Sequence, residues 1–127
     1  MKFPYFYFRG YYFPVIPVII SILSKSIKTS ALIDSGASIS LFHGSIAREL
    51  GLVLESGKKR IFQAASGRFI GYVHKVNIII GEEKFPCRIA FSDELITSFN
   101  LLGRETIFDK FLVIFNEKNK IVELRRI

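Results

Sequence analysis

The segment best suited to chemistry is a short apolar run that ends in an acid. Residues 31–33 are Ala-Leu-Ile, Asp34 follows them, and Ser35 and Gly36 come next. An apolar strand that ends at a glycine turn presents its carboxylate at the strand end, where the acid can take up or release a proton. Residues 100–104 contain a second apolar pair followed by glycine. We expect this second element to pack beside the first.

Only one acid of the chain stands in such a context. Neither Asp93 nor Asp109 precedes Ser-Gly or Thr-Gly. Acid-activated attack of water on a peptide bond uses two facing carboxylates. A homodimer, in which each copy brings one Asp34, would supply both.

Composition limits the alternatives. With 127 residues, 50% of them hydrophobic, the chain fits one domain over residues 1–127 and can bury a core without a metal or disulfides. The single Cys87 cannot form an intrachain disulfide. His43 and His74 have no second ligand at metal-like spacing, so we expect no metal and no cofactor.

The formal net charge of +7 makes nucleic acid a partner to consider. The basic residues, however, form short and scattered clusters, such as residues 58–60 and 125–126, and no recognition helix or RNA-binding signature accompanies them. A basic β-domain that binds nucleic acid therefore stays a minor alternative.

The longest apolar stretch, residues 11–23, is interrupted by Pro14 and Pro17. It is shorter than the roughly 20 residues that a membrane-spanning helix needs, so it is interpreted as strand. The N-terminus is aromatic and lacks a basic head followed by an aliphatic run, so no signal peptide is indicated. We therefore expect a cytoplasmic protein with no membrane partner.

The elements that must position Asp34 are mostly strands. We predict them at residues 3–8, 13–23, 58–65, 69–80 and 83–91, with a polar connection at 24–30 and a C-terminal hairpin formed by 111–115 and 121–124. Residues 65–67 form a small-residue hairpin tip. Apolar spacing predicts a short helix around Ile46, and a second one after Gly103. The chain is thus predicted to be a mostly β domain, either a small closed barrel or an orthogonal sandwich.

Three motifs in order resemble the retropepsin-like aspartic proteases, the single-domain relatives of pepsin typified by retroviral proteases. They are Leu32-Ile33-Asp34-Ser35-Gly36-Ala37, Gln63-Ala64-Ala65-Ser66-Gly67-Arg68 and Asn100-Leu101-Leu102-Gly103-Arg104. Asp-Ser-Gly alone is an ordinary turn sequence, whereas the ordered set, which covers most of residues 16–115, is fairly specific. The resemblance implies a small closed β-barrel with two short helices.

The resemblance also implies a homodimeric endopeptidase that cuts extended polypeptides, with Asp34 of each copy meeting at the two-fold axis around one water. Ser35 would bond across that axis, and Gly36 would support the catalytic loop. The first hairpin would be a flap that closes over the substrate. Substrate-binding residues carried over from the family are Ala37, Ser38, Ala64, Ala65, Ser66, Gly67, Phe99 and Leu101.

Two features depart from the retroviral pattern. Ser38 and Ile39 stand where an acidic partner for Arg104 is usual, so Glu105, Glu49 or Asp109 would have to serve. The aromatic N-terminal extension, residues 1–13, and the C-terminal hairpin, residues 111–127, also differ from the short viral termini. We expect the dimer interface to be built from this hairpin together with residues 3–8. A non-catalytic peptide-binding module on the same fold remains the main alternative.

Overall fold

A computed structural model describes all 127 residues, and strands dominate it. There is one short helix, α1 (Gly44–Glu49), and one 3-10 turn (Leu54–Ser56). The strands are β1 (Lys2–Pro4), β2 (Phe6–Phe8), β3 (Tyr11–Phe13), β4 (Val15–Ile22), β5 (Lys25–Ile33), β6 (Leu41–His43), β7 (Lys58–Ala64), β8 (Gly67–Ile80), β9 (Glu83–Ser92), β10 (Asn100–Leu102), β11 (Phe111–Asn116) and β12 (Ile121–Arg126). No helix is long and apolar enough to cross a membrane.

Seven strands form the main sheet in the order β4-β5-β10-β6-β9-β8-β7, and β4 also pairs with β8. This extra pairing covers only Ile19, Ile20 and Ser21 of β4, so the strand order returns on itself through a short contact. The mostly β prediction is confirmed. We describe the arrangement as a ring of strand pairings rather than as the predicted closed barrel.

The core follows from the period of two in the strands. In β4, Ile16, Val18 and Ile20 are almost fully buried, whereas Pro17 between them faces solvent. These side chains belong to the larger of two apolar clusters. The smaller cluster lies beneath β7 and β8 and contains Ile39, Leu41, Ala90, Leu95 and Leu101.

The predicted polar connection at residues 24–30 is wrong, because this segment is the first part of β5. Its residues pair with β4, with Ile27 opposite Ile20 and Thr29 opposite Val18. The half-buried Ile27 and Thr29 alternate with exposed Ser26 and Lys28. Polar residues here occupy the solvent face of a strand, so composition alone was misleading.

The N-terminal residues form more strands than expected. Residues 2–4 pair with β12 and join the C-terminal hairpin in a three-stranded sheet. Residues 6–8 instead pair with β3 through a turn at Arg9-Gly10. The predicted C-terminal hairpin is confirmed, with β11 and β12 paired over six positions.

The predicted second helix after Gly103 is also wrong. The segment forms successive turns, although Ile107 N donates to Gly103 O and Phe111 N donates to Ile107 O as in a helix. Thr106 interrupts the pattern, because its φ of 115° lies outside the helical region. The predicted helix around Ile46 is confirmed as α1.

Asn100 joins three strands near the centre of the sheet. Its Oδ1 accepts from His43 N at 2.9 Å, and its Nδ2 donates to Ser30 O at 3.0 Å and to Thr29 Oγ1 at 3.3 Å. The residue is only 6% exposed, so removing the amide would leave buried backbone groups without partners.

We therefore predict that Asn100→Ala lowers the free energy of unfolding by about 2–4 kcal/mol. The matched control is Asn116→Ala, which removes an exposed amide that accepts only Asn119 N and should cost less than about 1 kcal/mol. Urea unfolding at a fixed protein concentration measures both. Equal losses in the two variants would contradict the role assigned to Asn100.

Candidate active site

Asp34 stands where two parallel strands end together. β10 pairs in parallel with β5, so that Leu101 lies opposite Leu32 and Leu102 opposite Ile33. Asp34 N continues this pairing by donating to Leu102 O at 2.9 Å. The predicted packing of the two apolar-glycine elements is therefore confirmed, and it fixes the backbone of Asp34.

The acid loop, residues 34–38, holds the carboxylate through its own backbone. Gly36 N donates to Asp34 Oδ1 at 2.8 Å, and Ala37 N donates to Asp34 O at 3.2 Å. A Cβ at position 36 would lie 3.1 Å from the same Oδ1. Glycine thus lets its N–H approach one carboxylate oxygen closely.

Arg104 holds the acid loop from the other side. Its Nη1 donates to Ser35 O at 2.7 Å, and its backbone N donates to Ala37 O at 2.8 Å. No carboxylate pairs with Arg104, so the expectation of Glu105, Glu49 or Asp109 as its partner is wrong. A backbone carbonyl takes that place.

Glu105 is instead bound to β9. Arg88 makes two hydrogen bonds to its carboxylate, at 2.7 and 2.8 Å, and these bonds lower the pKa of Glu105. Gly103, just before Arg104, passes so close to the acid loop that a Cβ there would lie 2.8 Å from Ala37 O. Residues 103–105 are thus packed directly under the loop.

The β7–β8 hairpin covers the acid loop. Its strands pair from Lys58 opposite Val73 to Ala64 opposite Gly67, which leaves Ala65 and Ser66 as the turn. Phe62 and Phe69 stack with ring centroids 5.3 Å apart, and both pack on the smaller apolar cluster. The predicted hairpin and its tip are confirmed.

A cleft of about 510 Å³ lies between the hairpin, the acid loop and the segment after β9. Seven of the residues predicted for the site line it. They are Asp34, Gly36, Ala37, Ser38, Ala64, Ser66 and Leu101. Asp34 is half-buried at this wall, so its carboxylate is accessible from the cleft.

A family model described as aspartyl protease matches residues 19–106. This span is more than half of the chain and contains the acid loop, the hairpin and Gly103. The chain belongs to the aspartyl protease family. None of the curated proteins is similar enough in sequence to match it.

Solved structures show that this family member has the retropepsin-like fold. A retropepsin-like aspartic protease from Rickettsia conorii is similar with a TM-score of 0.72 at 18% identity, over 98% of this chain and 89% of that one. An EIAV protease complexed with the inhibitor HBY-793 is similar with a TM-score of 0.58 at 19% identity, over 78% of this chain and 88% of that one.

Four residues predicted for the site lie outside the cleft lining: Ser35, Ala65, Gly67 and Phe99. Ser35 is exposed on the loop, and Ala65 and Gly67 are exposed at the hairpin tip. Phe99 packs instead against the N-terminal hairpin, where its ring lies 5.1 Å from that of Phe8 and 5.6 Å from that of Phe13. This aromatic cluster replaces a contact with the cleft.

Asp93 and Asp109, which the sequence did not favour as a second catalytic acid, lie elsewhere. Asp93 forms an ion pair with Arg48, and Asp109 Oδ1 accepts from Thr106 N at 3.3 Å. Neither lines the cleft. Glu94 does line it, but its Oε2 accepts from Ile70 N at 2.9 Å.

Several lining residues were not foreseen from the sequence. They come from the hairpin and from the segment after β9: Arg60, Ile61, Phe62, Gln63, Arg68, Phe69, Glu94, Leu95, Ile96 and Thr97, together with Leu41 of β6. The hairpin residues flank the predicted tip, and that proximity was the available signal. The residues after β9 reach the cleft only through tertiary folding.

We predict that Arg104→Leu lowers the free energy of unfolding by about 1–2 kcal/mol, because it removes the exposed hydrogen bond from a charged donor to Ser35 O. Arg125→Leu is the matched control, since it breaks an exposed ion pair with Glu123 and should cost less than about 1 kcal/mol. Urea unfolding measures both variants. A larger loss in the Arg125 variant would contradict the role of Arg104.

Proposed function

We propose that the chain is a homodimeric aspartic endopeptidase that hydrolyses peptide bonds in extended polypeptides. The water would be activated between two Asp34 carboxylates, one from each subunit. The observation that carries this proposal is the half-buried Asp34 at the wall of a covered cleft, in a chain of the aspartyl protease family.

The proposed mechanism follows from bringing two carboxylates together. Two such groups in contact cannot both be ionised at low cost, so the pair shares one proton and titrates as a unit. The ionised Asp34 takes a proton from the water as the water attacks the peptide carbonyl carbon. The protonated Asp34 of the other subunit donates a hydrogen bond to the carbonyl oxygen, and no covalent acyl-enzyme forms.

The acid loop supports these roles in the proposal. The Gly36 N–H holds Asp34 Oδ1, which orients the carboxylate before substrate arrives. Arg104 holds the carbonyl of Ser35, whose hydroxyl is free to bond across the two-fold axis. Both contacts restrict the acid loop before substrate binds, so less conformational entropy is lost during the reaction.

An extended substrate would lie between the acid loop and the β7–β8 hairpin. Ala37 and Ser38 would contact its backbone from below, while residues 64–67 at the hairpin tip would close from above and exclude water. Leu101 would favour apolar side chains at the cut site. No metal or cofactor takes part in the proposed reaction.

The dimer interface in this proposal is built from the terminal sheet β1-β12-β11. Leu112 and Phe115 of β11 are 52% and 42% exposed. Phe6 and Tyr7, which follow β1 in the chain, are also exposed aromatic residues. Burial of such apolar surface would stabilise a dimer. Action in the cytoplasm stays a prediction.

We predict that Asp34→Asn reduces cleavage of a quenched fluorogenic peptide library at least about 1000-fold, because an amide cannot exchange the proton. Asp109→Asn is the matched control, since its amide oxygen can still accept from Thr106 N outside the cleft. Initial rates between about pH 4 and pH 7 measure both variants, with circular dichroism confirming that each is folded.

Unchanged cleavage by a folded Asp34→Asn variant would exclude the proposed mechanism. If the wild-type chain binds extended peptides and cuts none over this pH range, the non-catalytic peptide-binding module is the better description. Salt-sensitive retention on DNA or RNA without peptide binding would favour the nucleic-acid alternative.

A further inference from the structure

All charged residues of the β7–β8 hairpin are basic. Between residues 58 and 80 it carries Lys58, Lys59, Arg60, Arg68 and Lys75, and it has no acidic residue. The four ion pairs of the structure all lie elsewhere. The element that covers the cleft is therefore a positive surface without internal neutralisation.

Two of these five residues, Arg60 and Arg68, line the cleft. The Arg60 guanidinium lies 5.3 Å from the centre of the Phe62 ring, which holds it over the apolar base of the hairpin. Arg68 stands beside the tip, opposite Gln63 in the strand pairing. Both side chains are exposed, and neither has a carboxylate within ion-pair distance.

The acids near these arginines already have partners. Glu94 Oε2 accepts from Ile70 N, and Asp34 Oδ1 accepts from Gly36 N. Glu105 attracts Arg60 electrostatically, but its carboxylate makes two hydrogen bonds with Arg88. Arg60 and Arg68 are thus the cations of the cleft that are available to bind a carboxylate of a ligand.

Nine of the 18 residues that line the cleft are hydrophobic. Leu41, Leu101 and Ile96 contribute aliphatic surface, and Ile96 is 81% exposed. The cleft therefore offers apolar contacts along its walls and guanidinium groups beneath the hairpin. A ligand that matches this cleft carries apolar side chains together with a carboxylate.

We propose that Arg60 and Arg68 determine specificity by selecting peptides in which Glu or Asp flanks the apolar residues at the cut site. This inference rests on the proposed peptidase function and adds the substrate class. Arginine binds carboxylates through two parallel N–H donors, which gives direction as well as attraction. Since a symmetric dimer brings one such pair from each copy, acidic side chains are accepted on both sides of the scissile bond.

The test compares three peptides that share one apolar cut site and differ only in the flanking residue, which is Glu, its neutral isostere Gln, or Lys. We expect kcat/KM for the Glu peptide to exceed that for the Gln peptide about five- to tenfold, and the Lys peptide to be the poorest. The preference should shrink when salt rises from about 0.05 M to 0.5 M, because ions screen accessible charges.

The double variant Arg60→Gln with Arg68→Gln should abolish the preference. The double variant Lys58→Gln with Lys59→Gln is the matched control, because it removes the same two charges from the same hairpin at residues that do not line the cleft, and it should keep the preference. Replacing both arginines by lysine should restore part of it. Equal use of Glu and Gln peptides by the wild type, or an equal loss of preference in the double lysine variant, would overturn the inference.

Binding separates this inference from the proposed function. Fluorescence anisotropy of the labelled Glu and Gln peptides with the Asp34→Asn protein measures the preference without turnover. If the wild-type chain cuts no peptide, the proposed peptidase function fails. The ratio of the two dissociation constants, and its loss in the Asp34→Asn protein that also carries both arginine changes, then decides the specificity inference by itself.

Discussion

The parallel pairing of β5 with β10 is the constraint on which the candidate site depends. It brings two separate apolar segments to the same sheet edge and places Asp34 and Gly103 directly after their ends. The bond from Asp34 N to Leu102 O extends this pairing by one residue into the loop. Without it, the acid would sit on a free turn with no fixed relation to the rest of the cleft.

The surrounding contacts all reinforce that placement. Asn100 binds β5 and β6 from within the sheet, while Arg104 reaches over the edge to the carbonyl of Ser35. Gly36 and Gly103 permit backbone approaches that a Cβ would prevent or crowd. The carboxylate is thereby positioned by main-chain geometry, which leaves its second oxygen available for chemistry.

The parts that could be predicted from the sequence are those encoded locally. Apolar runs ended by glycine indicated the Asp34 and Gly103 elements, and alternation around residues 65–67 indicated the hairpin. The first part of β5 was missed because its solvent face is polar, and the second helix was wrong because Thr106 adopts a positive φ. Neither property is visible in residue types alone.

Tertiary contacts explain the remaining differences. The partner of Arg104 is a backbone carbonyl, a group that every residue carries and no sequence pattern can single out. Phe99 lies only two residues before Leu101, yet its side chain packs against the N-terminal aromatic hairpin instead of lining the cleft. Ile96 and Glu94 line the cleft only because the turn after β9 folds towards the hairpin.

In the proposed function, one catalytic unit contains an Asp34 from each of two chains. Subunit exchange tests it directly: wild-type protein is mixed with an equal amount of the Asp34→Asn variant, and peptide cleavage is followed to equilibrium. Mixed dimers would hold one carboxylate and be inactive, so activity should fall to about one quarter of that of the same total amount of wild type. Activity that stays at about one half, although a tagged variant confirms exchange, would contradict a shared site.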